Sequence, residues 1–144
     1  MHYKFIKVKN LKYSKYIYDI NSNYSARKFS SKPKKFSYRT HLSWIKNVLK
    51  NKLEVIFLIK IKNNNLGIIR KKKVRKRFDL SWIINKNFRN KGHGKKILKK
   101  FVTRKKIKYV AKIHNLNIAS IKIAQYAGFK KQRQSKIFST FTCN

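Results

Sequence analysis

The sequence predicts an α/β domain built around one mixed sheet. Three observations carry that prediction. Runs with strand-like apolar character and runs with helical periodicity interleave along the chain, the pattern of a sheet covered by helices. A loop with two glycines, Arg89-Asn90-Lys91-Gly92-His93-Gly94, stands between an apolar strand-like run and an amphipathic basic helix. The chain has 144 residues and is 42% hydrophobic, which fits one domain with a real core.

Residues 3–8 alternate well enough for a first strand, and residues 11–20 suit a short helix. Residues 21–35 are rich in Ser, Asn and Lys and hold the only proline, Pro33, which predicts a loop or broken helix. From Tyr38 onward Leu42, Ile45, Val48 and Leu49 recur at helical spacing, giving an amphipathic helix to about Lys50. Residues 54–61 are nearly continuous in apolar, β-branched side chains, as in a strand covered on both faces. Asn63-Asn64-Asn65 predicts a turn and residues 66–70 its hairpin partner. In the strand over 78–84, Leu80, Trp82 and Ile84 share one face while Asp79, Ser81 and Ile83 share the other. After the glycine loop, Ile97, Leu98, Phe101 and Val102 form one stripe of a helix whose opposite face is Lys and Arg. A strand over 109–113 follows. Asn117 suits an N-cap and Gly128 the C-terminal stop of a helix ending near Ala127. A last strand falls at 137–142.

Forty basic residues against three acidic ones give a formal charge of +37. Such a charge usually signals nucleic acid or an anionic membrane surface. Here the basic residues spread over the whole chain, and Lys, Asn, Ile, Phe and Tyr are heavily used throughout, so the spread favours composition over a dedicated nucleic-acid site. Nucleic acid is expected only as a non-specific electrostatic partner. The field still raises encounter rates with anionic ligands and depresses carboxylate pKa values. No apolar run approaches the roughly 20 residues of a membrane span. The N-terminus lacks the apolar core of a secretory signal, and the single cysteine, Cys143, cannot form an internal disulfide. A cytoplasmic location is the expectation.

The chemistry-bearing residues are few. Glycines at the mouth of a helix let main-chain N–H groups approach a phosphate, and the helix N-terminus carries about half a positive charge. Arg89, Lys91, Lys95 and Lys96 add formal charge around it. Neither the dinucleotide pattern nor the Walker A loop is satisfied: Ile97 stands at the third glycine of the former, and the latter lacks its first glycine and its Ser/Thr. Asp79 could orient a water that deprotonates an amine or could pair with Arg75 or Arg77. His41 could contact a ligand or serve structurally beside Trp44. His114 follows the strand over 109–113. Glu54 and Asp19 carry no assigned role. Four scattered histidines and one cysteine give no metal-ligand spacing.

Arg89-x-x-Gly92-x-Gly94, followed in this order and separation by Asn117-Ile118-Ala119-Ser120 and Ala127-Gly128-Phe129, resembles the GNAT superfamily of N-acetyltransferases over about residues 66–129. The resemblance implies a GNAT-like domain in which the strand before the glycine loop splays from the next parallel strand, with the pantetheine of acetyl-CoA in the gap. It implies that Arg89, Gly92 and Gly94, with the main chain of Asn90, Lys91, His93 and Lys95, hold the pyrophosphate, and that Asn117 contacts the cofactor arm. Main-chain N–H groups near Ile83 and Ile84 would stabilise the oxyanion. Family members often protonate the departing thiolate with a tyrosine seven residues after the asparagine. That position is Ala124 here, and Tyr126 lies about 200° around the helix.

The upstream layout narrows the resemblance. Arg27, Ser30, His41-Leu42-Ser43-Trp44 and Gly67-Ile68-Ile69-Arg70 are similar to acetyltransferases acting on nucleotide-linked amino sugars of pseudaminic acid-type pathways. The layout also overlaps with acetyltransferases of ribosomal-protein N-termini. The expected function is direct acetyl transfer to a primary amine of an anionic sugar nucleotide, with Arg27 and Arg70 as substrate contacts and no metal. A peptide N-terminal acetyltransferase is the enzyme rival, its cationic substrates repelled by this surface. An RNA-binding protein on a degenerate acetyltransferase scaffold is the non-enzyme rival.

Overall fold

Strand β1 (Lys4–Lys7) opens the chain, followed by a 3-10 turn at Leu11–Tyr13 whose first N–H groups are capped by Asn10. Helix α1 (Ser14–Ser22) and the single turn α2 (Tyr24–Arg27) replace the expected helix and broken helix, with Asn23 capping α2 through the Ser25 N–H. Helix α3 (Tyr38–Lys50) begins at the Ser37 cap and buries His41, Ile45 and Val48. Strands β2 (Glu54–Ile61), β3 (Asn64–Val74) and β4 (Arg77–Ile84) form a meander. Helix α4 (His93–Val102), strand β5 (Tyr109–His114), helix α5 (Ile118–Tyr126) and strands β6 (Lys130–Gln134) and β7 (Phe138–Cys143) complete the chain. This is a computed structural model describing residues 2–103 and 106–144.

The seven strands lie in the order β1-β2-β3-β4-β5-β7-β6, antiparallel except for β4 beside β5. The alternation along each strand divides the apolar residues between two cores. Ile59, Leu66, Ile69, Leu80 and Ile84 face α4 and α5 with Leu98, Ala124 and Phe141. Ile56, Leu58 and Ile68 face α1 and α3 with Ile17 and Ile45. The result is an α/β sandwich of helix, mixed sheet and helix. Among the described residues, no helix is long and apolar enough to cross a membrane.

Three departures from the expected elements have simple causes. The β2–β3 turn falls at Lys62-Asn63, with Lys62 at φ 52°, because Asn64 and Asn65 are already paired with Ile61 and Lys60. β3 then runs past Arg70 to Val74, since Lys71–Lys73 continue the ladder opposite Leu80, Asp79 and Phe78. Strand β6 carries no apolar period at all: Lys-Lys-Gln-Arg-Gln is exposed along its whole length. Edge strands defended by charge are invisible to a hydrophobicity pattern.

Candidate active site

β4 and β5 pair only at Phe78↔Tyr109 and Asp79↔Val110 and then diverge. From Leu80 to Ile84, β4 therefore has an edge facing an open gap. Successive N–H groups in a strand point to opposite sides. The Phe78 N–H donates to the Lys108 carbonyl at 2.9 Å, on the β5 side, and the Asn85 N–H donates to the Leu66 carbonyl at 2.7 Å, on the β3 side. The β3–β4 register is regular between them, so the N–H groups of Leu80, Trp82 and Ile84 face the gap. The Ile84 carbonyl also faces it and accepts Arg89 Nε at 2.8 Å. Of the pair expected to offer N–H groups, Ile84 is the one whose N–H faces the gap. The Ile83 amide points toward β3, a correction imposed by ladder parity, while the Ile83 side chain lines the neighbouring cleft.

The glycine loop has two glycines with different jobs. Gly92 caps α4 at φ 79°, and a Cβ there would meet nothing, so its requirement is the left-handed backbone. Gly94 is different: a Cβ would stand 2.5 Å from Ile123 Cδ1. Its role is close packing of α4 against α5 rather than clearing space for a phosphate. Asn90 also takes positive φ, at 60°. The Lys96 N–H reaches the Gly92 carbonyl at 3.4 Å, which leaves the amides of Gly92, His93, Gly94 and Lys95 as the four orphan donors of the helix. The His93 side chain turns inward, where its Nδ1 bonds the Tyr3 hydroxyl at 2.8 Å. Lys91 Nζ donates to the Asn87 carbonyl at 3.4 Å, and Lys95 Nζ lies 5.7 Å from the Tyr126 ring centre. Arg89 serves the scaffold: Nε holds the end of β4, and Nη1 donates to Ser25 Oγ in α2 at 2.9 Å. Ser25 was not visible as a partner in the sequence, lying 64 residues away.

Beside the gap lies a cleft of about 1090 Å³. Its wall brings together Arg27, His41, Trp44, Arg70, Ile83 and Asn117, from five separate elements. Arg70 Nε is paired with the buried Glu54 carboxylate, and its guanidinium carbon lies 5.3 Å from the Trp44 ring centre. Glu54, assigned no role in the sequence, thus aims Arg70. The available signal was its rarity, one of three carboxylates in the chain and placed at the start of an apolar strand. Arg27 stacks on Phe36 at 4.9 Å and donates to the Lys32 carbonyl, bending residues 28–36 over the cleft. Lys32, Lys34, Lys35 and Lys112 also line it, and no Asp or Glu does among the described residues.

Asn117 caps α5 by accepting the Ser120 N–H at 3.2 Å, with its amide nitrogen left for a ligand in the cleft. Asn117→Ala is expected to cost about 1 kcal/mol, the usual worth of a helix cap, read as a lower thermal midpoint. Ala124 is fully buried in the core beneath the gap, and Tyr126 points outward with Lys95 and Lys99 against its ring. The position implied for a thiolate-protonating tyrosine therefore carries no hydroxyl, and Tyr126 does not replace it.

The structure places the two expected catalytic side chains apart, His41 in the cleft wall and Asp79 outside it. Asp79 sits at the closed end of the splay, 3.4 Å from Arg77 Nε in an ion pair, and is not part of the cleft wall. His41 is 1% exposed. Its ring packs among Tyr18, Phe36, Tyr38 and Trp44, and Nε2 donates to the Ser14 carbonyl at 3.0 Å. Burial lowers the His41 pKa, and burial, with the charges of Lys91 and Lys96, lowers that of His93. Both stay neutral in the fold while the unfolded chain titrates near the ordinary 6.5. Between that value and the lowered ones the unfolded chain binds more protons. Stability is then whole above about pH 6.5 and falls as the pH drops below it. Urea unfolding is expected to show a lower midpoint at about pH 5 than at about pH 7, and a smaller drop in His41→Gln.

An open-edged strand, a helix mouth with four orphan amides and a buried Trp82 Nε1–H with no acceptor fit the amide-rich arm and diphosphate of a coenzyme A thioester. The acetyltransferase (GNAT) domain matches residues 8–130, most of the chain, and the protein belongs to that family. It is an acetyl-CoA-dependent N-acetyltransferase.

Three solved structures share the fold at low identity. Vibrio cholerae spermidine N-acetyltransferase, in complex with CoA and spermine, is 11% identical with a TM-score of 0.84, covering 98% of this chain and 94% of that one. The ribosomal L7/L12 α-N-protein acetyltransferase RimL, with coenzyme A, is 13% identical with a TM-score of 0.82, covering 98% and 93%. Campylobacter jejuni N-acetyltransferase PseH, with acetyl coenzyme A, is 15% identical with a TM-score of 0.76, covering 99% and 98%. No curated protein matches the chain in sequence.

Proposed function

We propose that the acetyl acceptor is the primary amine of an anionic, nucleotide-linked amino sugar. The observation that carries this reading is the charge of the cleft: Arg27, Lys32, Lys34, Lys35, Arg70 and Lys112 line it without a carboxylate among the described residues. A polyamine, or a peptide N-terminus entering as a cation, would meet only like charge there. A diphosphate tethered to a sugar would meet Arg70, already oriented by Glu54 and Trp44, whose remaining N–H groups suit phosphate oxygens.

In this reading the amides of Gly92, His93, Gly94 and Lys95 take the pyrophosphate of the acetyl donor, and Asn117 its arm. The acceptor amine attacks the thioester carbonyl directly. A gap-facing N–H group of β4, that of Trp82 or of Ile84, hydrogen-bonds the carbonyl oxygen as negative charge builds on it, and holding both reactants in line supplies much of the rate. Arg27 and Arg70 hold the acceptor. The thiolate leaves without a tyrosine to protonate it, so water entering the open cleft supplies that proton.

Thiol release from acetyl-CoA, measured with a panel of UDP-amino sugars, spermidine and N-terminal peptides, tests the assignment. Turnover is expected with one or more of the sugars. Turnover with peptides or spermidine and none with the sugars would overturn the acceptor.

A further inference from the structure

The end of the sheet away from the cofactor loop carries the densest charge in the molecule. Of the seven residues 71–77, all but Val74 are basic, against 40 of 144 overall. Lys72, Lys73, Arg75, Lys76 and Arg77 are exposed, on the last pairs of the β3–β4 ladder and its two-residue turn. Arg75 adopts φ 58° to close that turn, and the hairpin end from Val74 to Arg77 forms a short finger beyond the strands that flank it. Two hydrogen bonds gather more cations at its base. The Lys73 N–H donates to the Leu53 carbonyl at 2.7 Å, bringing in exposed Lys50 and Lys52, and the Phe78 N–H donates to the Lys108 carbonyl at 2.9 Å, bringing in exposed Lys106 and Lys108. Against these stands the Asp79 carboxylate, paired with Arg77, while Glu54 is buried under Arg70.

β4 begins at this tip and ends at the cofactor loop, so the two lie roughly 23 Å apart by strand rise. The acetyl-transfer cleft makes no use of this surface, and Lys72–Arg77 are absent from its wall.

We propose that this end of the sheet is a second binding site, which takes the phosphodiester backbone of nucleic acid without reading its sequence. The form of the finger selects the partner. Neighbouring residues of a ribbon point to opposite faces, so Lys72 and its neighbour Lys73 present charge on both sides. A flat anionic membrane would meet one side only, whereas a nucleic-acid groove that admits a two-stranded ribbon meets both. Lysine predominates, a point charge suited to phosphate rather than to base edges.

Fluorescence anisotropy of the full chain with labelled RNA and DNA duplexes of about 20 base pairs, from about 0.05 to 0.3 M KCl, tests the site. The two duplexes tell which polymer is preferred. The variant Lys72→Ser/Lys73→Ser/Arg75→Ser/Lys76→Ser is expected to lose at least about tenfold in affinity, with a log–log salt slope shallower by about 3. The control Lys4→Ser/Lys62→Asn/Lys86→Ser/Lys136→Ser removes the same charge from exposed positions at the opposite end of the sheet, where Lys4 pairs with Lys60, β2 turns into β3, β4 ends and β6 turns into β7. It is expected to change affinity by less than about twofold. Thiol release from acetyl-CoA stays unchanged in both variants, which also shows that they fold. Equal losses in the two variants would overturn the proposal, since binding would then follow total charge alone. So would tighter binding to phosphatidylserine vesicles than to either duplex, or no duplex binding at about 0.15 M salt.

Discussion

Gly67→Ala is expected to cripple the fold. A Cβ at this position would stand 2.1 Å from the Ile83 carbonyl oxygen and 3.0 Å from the Ile84 Cα, both main chain, and the residue takes φ 156°. Neither strand can yield locally, because Gly67 pairs with Ile84 on one side and Ile59 on the other. Overpacking and backbone strain each cost about 1–3 kcal/mol, so a loss of roughly 2–5 kcal/mol is expected, a large share of a domain's net stability. Urea unfolding measures it. The same substitution at Gly92, where space is open and only the left-handed backbone resists, is expected to cost about 1–2 kcal/mol. A Gly67→Ala protein as stable as the parent would mean that β3 and β4 approach less closely than described.

Arg70→Ala is expected to lower kcat/KM for the acceptor by about 10- to 100-fold while leaving the KM for acetyl-CoA unchanged. A charge-assisted hydrogen bond is worth about 1.5–3 kcal/mol, and 1.4 kcal/mol is tenfold. The substitution also strips the partner from Glu54, which is 7% exposed. A buried charged group left unsatisfied costs about 1–3 kcal/mol or more. Adding Glu54→Gln to Arg70→Ala should restore most of that stability and none of the activity. Arg70→Lys keeps the charge but loses the planar fork and the stack on Trp44, so it should recover activity only in part. Unchanged acceptor kinetics in Arg70→Ala would remove Arg70 from the acceptor site.

What was legible in the sequence follows from how local the signal is. Helix α3 could be read because Leu42, Ile45, Val48 and Leu49 repeat within one element, and the motif from Arg89 to Gly94 because its residues are contiguous. Asn117 could be read as a cap for the same reason. The rest depends on contacts between distant segments. Glu54 and Arg70 meet because strand register places β2 beside β3, and Arg89 meets Ser25 only when α2 folds over the end of β4. The choice of Ile84 over Ile83 needs ladder parity, which no apolar pattern reveals. Gly92 and Gly94 look equivalent in sequence, and they separate only once Ile123 is seen against one of them. The surroundings of Asp79 and His41 were equally hidden: one stands in an ion pair at the closed end, the other among four aromatic rings in the cleft wall.

Each of the three acidic side chains is engaged: Asp19 with Lys15, Glu54 with Arg70, and Asp79 with Arg77. None lines the cleft, where the incoming ammonium must shed a proton before it can attack. With the proton passing to solvent, turnover is expected to climb with alkalinity until the nucleophile itself is fully deprotonated. The inflection of such a curve then belongs to the guest molecule and moves when the guest is exchanged, whereas the host contributes shape and field.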